Sequence, residues 1–148
     1  MNFFVKIAGN RVLIACITAW FIAQVIKIIL TYYSSKKLDL TRLTGSGGMP
    51  SSHTAFVMAL STSIGKMYGW DSAIFAVSLC FTLVVMYDAA GVRRAAGNQA
   101  KILNRIIEDL AHNKPITDEK LKELIGHTPK EVVVGAILGI AVANIMAR

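Results

Sequence analysis

Ser51, Ser52 and His53 follow a run of glycines in GSGGMPSSHTAF, residues 45–56, and an apolar segment begins directly after them. Proline suits the first turn of a helix, where its missing N–H costs nothing, so Pro50 predicts a helix start here. The N–H groups of the following residues then point out of the helix end, and the positive end of the dipole favours an anion. Ser51 and Ser52 add hydroxyl donors, while Gly47 and Gly48 let backbone approach a ligand closely. A histidine can give or take a proton near neutral pH, and His53 is positioned one residue along to do so. This set of groups suits phosphate; an ordinary helix start behind a flexible loop is the competing reading. A second stretch, YDAAGVRRAAGNQA, places Asp88 near the end of an apolar run and Arg93 and Arg94 just after it. A carboxylate at that depth is costly, hence functional or paired, and guanidinium groups grip phosphate oxygens in a planar fork. An Asp–Arg structural pair beside basic interface anchors would use the same residues. In the third stretch, IGHTPKEVVVG, Thr128, Pro129 and Glu131 fit a capping box, with hydroxyl at the N-cap and glutamate at the third helical position. His127 stands immediately before that cap.

The elements that must hold these groups are apolar helices. Hydrophobic residues make up 54% of the 148-residue chain, yet its net charge is +7, and its mean hydropathy is +0.52. Apolar segments joined by basic connections indicate a membrane protein; a nucleic-acid binder would spread its charge over one face with less continuous apolar sequence. We expect one membrane domain over residues 1–148. Four apolar segments stand out: Val12–Tyr33, Thr54–Trp70, Asp71–Ala90 and Pro129–Ala147. The first is long enough to span a bilayer, which takes ~20 residues. It outlasts the h-region of a secretory signal, so it is expected to be retained. Lys27 interrupts it near one end, where a lysine can snorkel to the interface. Cys16 and Cys80 lie inside apolar runs and are expected to be buried small residues, with no disulfide or metal site. Between the third and fourth segments, Ile102, Leu103, Ile106, Ile107 and Leu110 recur at helical spacing, with Lys101, Arg105, Glu108 and Asp109 mostly off the stripe. That pattern predicts an amphipathic helix, with a small-residue face at Ala96, Gly97 and Ala100. A short helix is expected to start at Thr117. The fold expected is an all-α integral membrane bundle of about four transmembrane helices, with a cytoplasmic amphipathic helix between the last two. Most lysines and arginines fall in the two long connections, which the positive-inside rule places in the cytoplasm with both termini outside. His53, Asp88, Arg93, Arg94 and His127 then share one membrane face.

The combination of GGMPSSH, YDAAGVRRAAGNQA and GHTPKEVVVGAILG resembles a divergent, small membrane branch of the phosphatidic acid phosphatase type 2 superfamily, which includes acid phosphatases and vanadium haloperoxidases. The likeness runs from about Gly47 to Gly139. It implies that His53 corresponds to the histidine of the P-S-G-H motif, which assists protonation of the leaving group or the phosphate. The parent K-x6-R-P motif is only echoed, because Lys36 precedes Arg42 with one residue too few and no proline follows. In the parent S-R-x5-H-x3-D motif the arginine matches Arg93 or Arg94, but Gln99 and Ala100 stand where the nucleophilic histidine belongs. His127 and Glu131 reproduce the H-x3-acid spacing later in the chain. The parent fold builds its site from a larger bundle, so a homo-oligomer would complete it here.

The function expected from the resemblance is hydrolysis of a lipid or prenyl phosphate or diphosphate through a phosphohistidine, without metal or other cofactor. His127 is the expected nucleophile and His53 the acid and base, with Asp88 as a third catalytic candidate. Arg42, Ser51, Ser52, Arg93 and Arg94 are expected to hold the phosphate, supported by Gly47, Gly48 and Glu131. The expected location is the cell membrane with the active face cytoplasmic, and no nucleic-acid partner. Two rivals stand beside this reading. One is a non-catalytic protein that binds or moves anionic phospholipids. The other is a metal-dependent lipid phosphotransferase, since DAAGVRRAAG resembles the D-G-x2-A-R signature of such enzymes. That chemistry needs several carboxylates, and Asp88 is the only acid in its stretch.

Overall fold

The computed structural model describes residues 2–36, 48–111 and 127–146. It is all-α, and no strand occurs among the described residues. A short α1 (Phe3–Ala8) precedes α2 (Arg11–Ser35), α3 (Ser52–Tyr68) and α4 (Ala73–Tyr87). A π-helical turn, Asp88–Val92, joins α4 to α5 (Arg93–Ala111), and α6 (Pro129–Met146) closes the bundle. Three runs among the described residues are long and apolar enough to cross a membrane: Arg11–Ser34, the continuous Ala73–Glu108 and Pro129–Met146. Helix α3 has 17 residues and carries much of the buried polar surface. It packs against α2, α4 and α6 and forms the centre of the bundle. The chain is a membrane-embedded helical protein, with α3 as the element on which the expected fourth span rests.

Small residues let the helices approach closely. Ala15, Ala19 and Ala23 recur every fourth residue on α2 and are fully buried, as are Ala55 and Ala59 on α3. On α6 the same spacing gives Gly135, Gly139 and Ala143, which are also buried. A methyl group on Gly135 would run into the Ser51 carbonyl oxygen, and one on Gly139 into that of Ala55. With little hydrophobic drive between helices inside a bilayer, such close backbone contact is what association depends on. Gly135 faces Ser51 and Gly139 faces Ala55, so α3 and α6 run parallel. At their far end Lys66 Nζ donates to the Asn144 carbonyl at 3.2 Å. Two core hydroxyls find backbone partners: Thr82 Oγ1 and Ser61 Oγ both donate to the Val57 carbonyl, at 2.9 and 3.2 Å. The α3–α4 reversal is tight. Gly69 takes a φ of 92°, and Ser72 caps α4 by accepting from Phe75 N–H while donating to the Gly69 carbonyl.

Three expectations need correction. The third apolar segment does not end at Ala90; it runs on through the π turn into the amphipathic helix. Gly91 alone is too weak a breaker, costing about 1 kcal/mol in a helix interior. Exposed Ile102, Leu103, Ile106 and Leu110 lie along α5 as the stripe predicts. Lys27 does not snorkel outward. Its side chain is 1% exposed and is among the most deeply buried in the molecule. Cys16 is buried as expected, whereas Cys80 is exposed on α4.

Candidate active site

The helix start at GSGGMPSSH lies two residues later than Pro50 suggested. Ser51 is the N-cap and Ser52 the first helical residue, which leaves Pro50 outside the helix. Ser51 Oγ accepts from Thr54 N–H at 3.4 Å and from Thr54 Oγ1 at 3.0 Å, so this hydroxyl is engaged in capping. The N–H groups of Ser52 and His53 lie in the first turn, before intrahelical bonding begins, and point out of the helix end. Ser51 and Ser52 are both buried, whereas His53 is exposed. Gly48 adopts a φ of 85°, which a side chain would strain. A Cβ there would also meet Lys27 Cγ at 3.2 Å. The glycine therefore lies directly on the aliphatic stem of the buried lysine.

The capping box at α6 forms as predicted and does a second task. Glu131 Oε2 accepts from Thr128 N–H at 3.1 Å, and Glu131 N–H donates to Thr128 Oγ1 at 3.4 Å. The same Oε2 lies 2.9 Å from His127 Nδ1. A carboxylate only accepts, so Nδ1 carries the proton, and in the neutral ring Nε2 then has the lone pair. The His127 ring is 2% exposed and its Nε2 is buried. Its main chain is fixed as well: His127 N–H donates to the Ala89 carbonyl at 2.9 Å. Ala89 lies in the π turn. Turns of this kind loosen the i→i+4 ladder and release a carbonyl to outside donors.

These local features converge. Ser51 N–H donates to the Glu131 carbonyl at 3.0 Å, joining the start of α3 to the start of α6. Two helix N-termini thus point the same way at one end of the bundle, and their dipoles add in favour of an anion. His53 shares a cleft with Val85 on α4. Ala89, which holds His127, is four residues further on, about 6 Å along a helix. Asp88 opens the π turn between them and is partly buried. Arg93 and Arg94 begin α5 at the same end. Arg42 and Gly47 lie outside the described residues, as does the short helix expected from Thr117. Among the expected residues, the structure therefore brings Gly48, Ser51, Ser52, His53, Asp88, His127 and Glu131 to one end of the bundle.

Lys27 is the buried polar residue at this end that sequence reasoning did not anticipate. The sequence did hold a signal for it. Ala15, Ala19, Ala23 and Lys27 form one four-residue stripe, and a residue on that stripe faces inward with the alanines.

The comparisons agree with this architecture. The model of the Divergent PAP2 family matches residues 8–142, and the chain belongs to that family. A relative in Bacillus subtilis (strain 168), the "Uncharacterized membrane protein YuiD", is 42% identical over 153 residues. That match covers 96% of this chain and 97% of the relative. No solved structure matches the chain.

Proposed function

We propose that this protein is a membrane phosphatase that hydrolyses a lipid or prenyl phosphate or diphosphate through a phosphohistidine on His127. One observation carries the reading: Glu131 Oε2 lies 2.9 Å from His127 Nδ1 while capping the helix that follows. A carboxylate that fixes the tautomer and orientation of a histidine is the arrangement a nitrogen nucleophile needs. Membership of the Divergent PAP2 family supports phosphatase-type chemistry. The phosphate is held by Arg42, Arg93, Arg94, Ser52 and the N-terminus of α3, with Lys27 as an added buried cation. In the first step the Nε2 lone pair attacks phosphorus and the bond to the lipid oxygen breaks. His53 protonates that leaving oxygen, so a free alcohol, or a monophosphate from a diphosphate, departs. In the second step His53 takes a proton from water, which attacks phosphorus; the P–N bond breaks and inorganic phosphate leaves. Asp88 is the third catalytic group in this reading. Fixed donors around the phosphate stabilise the developing charge.

The site faces the cytoplasm of the cell membrane in this reading, on the charge asymmetry of the connections, and one membrane domain contains it. The test is phosphate release from a panel of lipid phosphates by purified protein in detergent. Vanadate should inhibit, because a trigonal-bipyramidal anion mimics the transition state, and a chelator should have no effect. His127→Ala should abolish turnover and an alkali-stable, acid-labile phosphoenzyme; full activity in that variant would refute the nucleophile. The displaced third motif favours one rival, a protein that binds or moves anionic phospholipids. Tight lipid-phosphate binding without turnover of any ester would establish it.

A further inference from the structure

A cavity of about 390 Å³ opens at His53 and is otherwise lined by apolar and aromatic side chains. Ile17 and Trp20 of α2 form one wall, Val85 and Phe81 of α4 the other, and Phe56 and Val57 of α3 the floor. Its axis follows from helix geometry. His53 to Val57 and Val85 to Phe81 are each four residues, or about 6 Å, leading away from the site end. Trp20 and Ile17 lie seven and ten residues before Lys27, about 10 and 15 Å deeper along α2. The cleft thus begins at a residue of the phosphate site and descends between two membrane-crossing helices. We propose that it receives the hydrocarbon tail of the phosphate-bearing lipid, and that the substrate is a single-chain lipid phosphate of the prenyl or monoacyl kind. One cleft between one pair of helices accommodates one chain. A two-chain phosphatidate would leave its second chain against the ridge of α2 or α4. The inference rests on the phosphatase reading for the position of the headgroup, but its test does not require turnover.

Trp20 lies in the cleft wall, and the other tryptophan, Trp70, packs over Gly65 at the opposite end. The full chain carrying Trp70→Phe therefore reports from the cleft, and the full chain carrying Trp20→Phe reports from the far end. Each is placed in phosphatidylcholine nanodiscs and titrated with three brominated probes: a single-chain alkyl phosphonate, the same chain with a phosphocholine headgroup, and a two-chain phosphonate lipid. The phosphonates cannot be hydrolysed. The single-chain phosphonate should quench Trp20 at a several-fold lower mole fraction than either of the others, while Trp70 responds to all three alike. Ile17→Phe, which narrows the wall at a half-exposed position, should reduce that advantage several-fold. Equal quenching of Trp20 by the phosphonate and the phosphocholine probe would overturn the proposal, as would preference for the two-chain lipid. Selective quenching without phosphate release from any ester would keep the cleft and refute the phosphatase. Phosphate release without selective quenching would do the reverse.

Discussion

Glu131 Oε2 has two partners, and the two can be separated by substitution. Glutamine at that position can still accept from Thr128 N–H, but its single carbonyl oxygen no longer offers a charged partner to the imidazole. Glu131→Gln should therefore leave the thermal midpoint within a few degrees of wild type while lowering turnover by about 10²-fold or more, the range of a lost acid–base or orienting group. Glu131→Ala should add a capping loss of about 0.5–2 kcal/mol. Parallel losses of stability and rate in the glutamine variant would reduce Glu131 to a cap. Lys27 offers a second test. Lys27→Met keeps most of the stem on which Gly48 rests and removes the charge, so KM for a lipid phosphate should rise with little change in folding. Arg93→Lys and Arg94→Lys should impair phosphate handling much more than Lys120→Arg, because a planar fork is lost; equal effects would make the arginines general surface charge. The capping box was legible in Thr128-Pro129-Lys130-Glu131 because it is a local pattern. The sharing of its carboxylate with His127 was legible only as a spacing. Which of two partners one oxygen takes depends on ring orientation, and the Ala89 contact that fixes the backbone comes from a distant part of the chain.

At the scale of elements, close contact among α2, α3 and α6 decides where the site groups stand. Gly139→Leu would drive a side chain into the Ala55 backbone. Overpacking of that kind costs about 1–3 kcal/mol, so the thermal midpoint in detergent should fall, and with it the registration of Ser51 against Glu131. An unchanged midpoint would mean that α6 can shift without cost. The π turn makes a sharper prediction. Deleting Ala90 should restore an ordinary helical ladder and remove the carbonyl that holds His127 N–H. Helix content by circular dichroism should be preserved and activity lost; an active deletion variant would show that the turn is not needed to place His127. Apolar run length made the membrane helices legible. The continuity of α4 and α5 was not, because a change from apolar to amphipathic composition at Ala90 looks the same for one bent helix as for two helices joined by a loop.

For the whole molecule, orientation is the open variable that one measurement decides. With Cys16 and Cys80 replaced, single cysteines at Lys36 and Thr128 should be shielded from an impermeant thiol reagent in intact cells, and one at Asp71 should be labelled; the reverse pattern would invert the assignment. The apolar composition indicated the bundle but not its order. It is α3, the least apolar of the four apolar segments, that occupies the centre, and its small serine, threonine, alanine and glycine side chains let α2, α4 and α6 pack around it. The parallel course of α3 and α6 has a further consequence. Because both begin at the site end, the described residues of the proposed site lie toward one surface of the bilayer, and the opposite headgroup layer is about 30 Å of hydrocarbon away. The two leaflets are therefore not equivalent to this protein. Under the proposed function, lipid would be drawn from one leaflet alone, any pool in the other would become available only as fast as its headgroups are carried across, and released phosphate would enter a single compartment.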